Sequence, residues 1–289
     1  MHDIDSINHI GMVARDLADT TARYEAMGFQ LTPYSPHSGA WKPGEPVKPL
    51  GSGNRCVMFA HNYLEILASG NPAEPSERLA GYLRHHQGAH IICFNSENPD
   101  AVDTRLRAAG IETSGVIPLQ REIDTPSGVQ TAKFQRIQFA PKDSPEGYIQ
   151  AARHLTPEHI YQPRYIRHPN GCTELSNAYL VVEDTAKYAT RYASYIGAEP
   201  EMDGDVARFR FSLCGALTIL TQRRALELLP ETLHPPLPGI AAVTFACPDL
   251  AAQRKRLRAA GIHCAEINGA LLVPAEYASG LAVLFEEPR

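Results

Sequence analysis

Five side chains in the first half of the 289-residue chain have types and spacings that could do chemistry together: His9, Glu65, His90, Gln150 and His154. His9 stands in the apolar run INHIGMV, and His90 occupies the matching place in a second run, AHIICF. Glu65 is flanked by Leu64, Ile66 and Leu67. A carboxylate facing the interior of an apolar sheet costs several kcal/mol unless it is paired or bound to a metal. The gaps are 65 − 9 = 56 and 150 − 90 = 60 residues, so Gln150 fills in the second unit the slot that Glu65 fills in the first. Two imidazoles and one carboxylate form the facial set that suits Fe(II), Mn(II), Ni(II) or Zn(II), with positions left open for substrate or water. The fourth place is open between Gln150, a neutral ligand that cannot act as a base, and His154, on the same strand face by alternation. Blander alternatives stand beside these. A histidine in an apolar strand is ordinarily a satisfied core or edge residue, and alternation also allows Glu65 to face solvent. Duplication shifts the balance, because pseudo-twofold symmetry would bring equivalent histidines together.

That duplication is written in the elements that must position the site. The heptapeptide RLRAAGI occurs at Arg105–Ile111 and again at Arg256–Ile262, an offset of 256 − 105 = 151. Each copy follows an apolar strand and an acidic turn. INHIGMVARDL (residues 7–17) and LSNAYLVVEDT (175–185) pair in the same way at an offset of 168, and both lead into helices that end at a glycine, Gly28 and Gly197. Glycine suits those places because the residue after a helix often needs positive φ. The unit reads four times over as a strand, a helix of about 12 residues and then three strands. In the first unit the three fall near FQLTPY, NRCVMFA and NYLEILA. The fold class expected is α+β: four βαβββ modules forming two cup-shaped paired-module halves. Residues 1–153 form the first pair, residues 154–174, polar and rich in Pro and His, a linker, and residues 175–289 the second pair. The second pair keeps no ligand set, with Asn177 in place of His9, Thr218 in place of Glu65 and Ala241 in place of His90.

Composition excludes several classes. Apolar residues at 44% and charged residues at 20% are a globular mix. Lys and Arg number 27 against 32 for Asp and Glu, a formal net charge of −5 with no basic cluster, so nucleic acid is not an expected partner. No apolar stretch approaches the roughly 20 residues that span a bilayer, and the first residues lack the apolar core of a secretory signal. No membrane partner is expected, and the expected location is the cytoplasm. The six cysteines are scattered without a C-x-x-C pair and read as reduced core thiols.

The segments INHIGMVARDL, GSGNRCVMF, NYLEIL, HLTPE and HPNG, in that order, resemble the vicinal oxygen chelate superfamily, whose members include glyoxalase I, extradiol dioxygenases and fosfomycin-resistance proteins. The resemblance is to its glyoxalase-like branch of four-module chains and covers essentially the whole sequence. It implies a divalent metal (Fe, Mn, Ni or Zn) on His9, Glu65 and His90, with Gln150 fourth and Glu65 also catalytic. It further implies lyase or isomerase chemistry on a small substrate whose neighbouring oxygens chelate the metal. A dioxygenase of the same superfamily is the alternative, although four-module ring-cleaving enzymes generally keep iron in the C-terminal pair. A binding protein that sequesters a small molecule or antibiotic in the same cup is the alternative of a different class. Three residues are candidates for substrate contact: Trp41, in a Pro- and Gly-rich stretch that could form a lid; Arg55, which could reach an anion; and His168, in the turn HPNG. Pairing with a second copy of the chain is compatible with all of this.

Overall fold

The computed structural model describes residues 3–39, 44–46, 48–70 and 76–288. The first unit comprises β1 (Ser6–Val13), α1 (Leu17–Ala26), β2 (Ser35–Gly39), β3 (Lys48–Met58) and β4 (Tyr63–Ser69). After α2 (Glu77–His85) the second comprises β5 (Gly88–Asn95), α3 (Pro99–Ala108), β6 (Ile117–Thr125), β7 (Gly128–Gln138) and β8 (Tyr148–His154). A single turn, α4 (Pro157–Ile160), precedes the third: β9 (Glu174–Val182), α5 (Thr185–Ile196), β10 (Glu201–Asp203), β11 (Val206–Arg210) and β12 (Ala216–Thr221). Then come α6 (Gln222–Leu228) and the fourth unit: β13 (Gly239–Ala246), α7 (Leu250–Ala259), β14 (Ala265–Ile267), β15 (Ala270–Val273) and β16 (Ala282–Glu286).

The order strand, helix, three strands therefore recurs four times, with the same pairing inside each unit. β1 runs parallel to β4, β5 to β8, β9 to β12 and β13 to β16. The first strands of neighbouring units pair antiparallel, β1 with β5 and β9 with β13, which closes each pair of units into one curved half of the sheet. The halves meet where Ile240 of β13 pairs with Ala89 of β5. The start signals act as the sequence predicts: Asp16, Asn98, Asp184 and Asp249 each cap a helix by accepting a backbone N–H three residues on. Gly197 ends α5 at φ +76°, and Gly28 follows α1 at φ +90°.

One apolar cluster runs through both halves. Phe29 lies against Phe245 and Phe285, with ring centroids 4.7 and 5.9 Å apart, and Phe94 lies against Phe211 at 5.8 Å. The repeated arginines reinforce that join. Arg105 reaches Asp3 and the Tyr195 carbonyl at the end of α5, while Arg256 reaches the Pro169 carbonyl. Two expectations need correction. FQLTPY is not a strand, and β2 begins at Ser35, past Pro33, whose ring removes a ladder donor. The helices α2 and α6, each set between the two units of its half, lie outside the expected βαβββ order, and α2 packs Leu79 against Leu67 and Ile91.

Candidate functional site

The concave face of the N-terminal half encloses a cavity of about 150 Å³, lined among others by His9, Glu65, Gln150 and His154. His9 projects from β1, Glu65 from β4, and both Gln150 and His154 from β8. His9 Nε2 stands 3.7 Å from Glu65 Oε2. Both residues are buried, at 6% and 8% exposure, so neither serves as a solvent-facing surface group.

A hydrogen-bonded chain fixes which nitrogen of His9 carries the proton. Asn95 Nδ2 donates to the Asp5 carboxylate at 2.9 Å, Asn8 Nδ2 donates to Asn95 Oδ1 at 3.2 Å, and His9 Nδ1 lies 2.8 Å from Asn8 Oδ1. A carboxylate can only accept, so the polarity of the whole chain follows from Asp5. His9 Nδ1–H donates to Asn8, and the Nε2 lone pair faces Glu65. Burial, and then the Arg121 charge, push the imidazole down to about 3, so it is neutral at neutral pH. Glu65 Oε1 accepts from Asn54 Nδ2 at 2.6 Å and lies 3.7 Å from His37 Nε2. His37 Nδ1 is 3.2 Å from Ser52 Oγ, and burial lowers this ring to about 4. Gln150 Oε1 is buried without a hydrogen-bond partner. His9 Nε2 and Glu65 Oε2 thus face each other as two acceptors, and Gln150 Oε1 is a third acceptor in the same lining.

The ladder between β1 and β5 shows which residues are equivalent. Its register slips at Asn8 and at His90: Ile7 pairs with Phe94, His9 with Cys93, Gly11 with Ile91 and Met12 with Ala89. The twofold relation therefore maps Asn8 onto His90 and His9 onto Ile91. His90 does not line the cavity. Its Nε2 is 3.0 Å from the His86 carbonyl oxygen, its ring stacks on Tyr82 at 4.8 Å, and burial holds it at about 4. The expectation of a second imidazole from this strand is corrected on that ground, because a slip of one residue moves a side chain to the other face. The Gln150 alignment agrees with the ladders: Glu65 pairs with Gly11 and Gln150 with Cys93, which are twofold equivalents. His154 lies farther along the wall, with Tyr63 stacked on His9 at 4.6 Å and facing His154 at 6.2 Å. Burial, then the nearby His9 and Arg121, push His154 down to about 3.

The substrate candidates divide differently. Arg55 donates to the Thr32 carbonyl and to Glu25 at 3.0 Å, outside the cavity, so it ties β3 to α1 rather than reaching a ligand. His168 accepts from Gln30 N–H at Nδ1 and donates from Nε2 to the Met58 carbonyl, between Phe29 and Phe59. Both its nitrogens are used in tying the segment between the halves to the first unit, and it too lies outside the cavity. Trp41 lies outside the described residues. Sequence reasoning missed His37, Asn54, Arg78, Arg121 and Arg136, all from elements that reach the site only by tertiary folding. The alternation of Leu119, Arg121 and Ile123 along β6 was the available signal for one of them.

Among the described residues no three His, Cys, Asp or Glu side chains gather into a metal cage. Of the four twofold-related positions, Ile91 offers no ligand atom. The donors that remain suit a divalent ion more weakly held than the sequence implies: His9 Nε2, Glu65 Oε2 and the orphaned amide oxygen of Gln150. Neutral imidazole, carboxylate and amide oxygen are acceptable first-row ligands when water or substrate completes the shell.

Residues 7–196, about two thirds of the chain, match the family described as Glyoxalase-like domain. No curated protein matches the sequence. Solved structures share the fold at low identity. A hypothetical protein from Staphylococcus aureus aligns with TM-score 0.64 at 12% identity over 98% of this chain and 99% of its own. A variant of 4-hydroxymandelate synthase from Streptomyces coelicolor aligns with TM-score 0.58 at 11% identity over 98% and 92%. The Mn(II)-bound glyoxalase from Novosphingobium aromaticivorans aligns with TM-score 0.55 at 12% identity over 99% and 82%. At such identities the likeness shows the fold alone. Among the described residues no helix is long and apolar enough to cross a membrane. The family match, with the βαβββ order repeated around a concave sheet, places this chain in the glyoxalase-like domain family.

Proposed function

We propose that this protein is a divalent-metal-dependent enzyme of glyoxalase-like type, performing lyase or isomerase chemistry on a small substrate with neighbouring oxygens. Residues 1–153 carry the site and residues 175–289 carry none. The observation that supports this most is the chain Asp5–Asn95–Asn8–His9, which turns a neutral imidazole lone pair onto Glu65 across 3.7 Å. Histidines that ligate metals characteristically donate their other ring N–H to a carbonyl or carboxylate partner. His9, Glu65 and Gln150 would hold the ion, with His154 the rival to Gln150. A bound divalent ion supplies Lewis-acid polarisation of the substrate's oxygens.

The chain's own groups account for the rest. Asn54 holds Glu65 Oε1, leaving Oε2 for the His9 side. His37 Nε2, neutral and beside Glu65 Oε1, is placed to take a proton from the substrate and return it, and the carboxylate stabilises the imidazolium formed meanwhile. Tyr63, stacked on His9, and Leu67 exclude water from that side.

Metal analysis of the purified protein tests the reading. About one equivalent of a divalent first-row metal per chain is expected, lost in His9→Ala and in Glu65→Gln. A metal that persists in both variants, or that maps to the C-terminal half, overturns it.

A further inference from the structure

Among the described residues, the lining of the same cavity collects three guanidinium groups, Arg78, Arg121 and Arg136, and one carboxylate, Glu65. Counting the imidazoles as neutral, the described lining residues carry a formal charge of 3 − 1 = +2. Arg121 sits at the centre of this excess. It projects from β6 over the Phe134 ring, 5.4 Å from the centroid, and its Nη1 makes only long contacts to neutral acceptors: Ser35 Oγ at 3.3 Å and Asn54 Oδ1 at 3.4 Å. Its Nε is buried without a hydrogen-bond partner. A guanidinium withdrawn from water with a donor unmet is costly, and an oxyanion is the group its fork fits best. Across the cavity, Arg78 and Arg136 both stand over the ring of Tyr148, 5.4 and 5.8 Å from its centroid. Arg136 Nη1 also donates to the Tyr148 hydroxyl, so these two side chains are fixed on the wall opposite Arg121.

Shape narrows the class. A cavity of about 150 Å³ is of the size that takes a small organic molecule such as benzene. Leu50, Leu67, Ile91 and Leu119 supply apolar wall for a short carbon skeleton.

We propose that the substrate is a small carboxylate of a few carbons, its charged end docked on Arg121 with Arg78 and Arg136 and its neighbouring oxygens directed at His9 and Glu65. The orientation rests on the metal reading given above; the anion docking rests on the arginines alone.

Calorimetric titration of the full chain, stripped of metal with a chelator, separates the two. Malonate is the probe, and malonamide, of the same shape without charge, is the control. Malonate should bind and malonamide should not. Arg121→Gln should weaken malonate by about tenfold or more, while uptake of Mn(II) stays as in the unmodified chain. Equal binding of malonate and malonamide, or none of either, overturns the inference, and so does a folded Arg121→Gln protein that binds malonate as before. The contrast between the two probes needs only the unmodified chain, so it holds even if the variant does not fold. Malonate binding without Mn(II) uptake upholds the anion site and removes the metal reading. Mn(II) uptake without malonate binding does the reverse.

Discussion

The two halves of the molecule share one pattern of strands and differ in what they place at its focus. In the N-terminal half the four equivalent positions hold His9, Glu65, Ile91 and Gln150. In the C-terminal half the ladder slips at Ser176 and Ala241, and the matching positions hold Asn177, Thr218, Ala242 and Leu284. There Thr218 Oγ1 donates to Asn177 Oδ1 at 3.0 Å and accepts from Arg208 Nε at 3.3 Å. Those groups satisfy one another, whereas the acceptors of the first half do not. The fold tolerates either outcome because its stability comes from the apolar faces behind the sheet, where Phe29, Phe59, Phe245 and Phe285 pack. The proposed function takes the copy whose acceptors lack partners, rather than the one whose polar groups pair with one another, as the copy a ligand completes.

The largest effect expected from breaking this asymmetry is at Glu65. Glu65→Gln removes the one anionic member of the proposed ligand set, and turnover should fall by about two orders of magnitude or more, while Thr218→Ala at the equivalent place should leave turnover and metal content unchanged. Equal losses in the two variants would show that both halves work. Next comes the hydrogen-bonded chain behind His9. Asn8→Ala leaves every ligand in place but releases the tautomer, so metal affinity should drop about 10–100-fold by competition with a chelating dye. Ser176→Ala, at the matching slip in the other half, should have no such effect.

A third variant sharpens the comparison within the first half. Ile91→His offers an imidazole at the position twofold-related to His9 and should tighten divalent-metal binding. Gly11, where a Cβ would lie 2.8 Å from Ile91 Cβ, leaves the room that a side chain at position 91 occupies. His90→Ala should leave metal binding alone and cost about 1–2 kcal/mol in stability, measured by urea unfolding, through the lost bond to the His86 carbonyl. Loss of metal in His90→Ala would restore the pairing read from sequence.

The smallest effect is on pH dependence. Burial depresses His9 and His154 to about 3 and His37 to about 4, against 6.5 when unfolded. The unfolded chain therefore takes up protons first as pH falls, so the stability from neutral burial is full above about pH 6.5 and is lost progressively towards pH 4. Melting temperatures should fall between pH 7 and pH 4.5, and His154→Phe, which keeps the stacking without the titration, should flatten that slope. An unchanged slope would mean that these rings are charged in the folded state.

Much of this architecture was legible in the chain itself. The repeated RLRAAGI, the Asp and Asn helix starts and the glycines after α1 and α5 are local signals, and each reflects a constraint acting within a few residues: a cap, a φ value, a period. That His9 and Glu65 line one cavity was legible for a similar reason, since a polar residue inside an otherwise apolar strand stands out against its neighbours. His90 was not, because a bulge adds one residue to one strand and leaves no mark in composition, yet it reverses the face on which every later side chain falls. His37, Asn54 and Arg121 could not be read as site residues at all. Each is unremarkable along its own strand, and only the closure of β2, β3 and β6 around β1 and β4 puts them within reach of Glu65. The chain determined which residues would repeat and which would be buried; tertiary structure alone decided which of them meet, because strand register and sheet curvature depend on contacts between segments far apart in sequence.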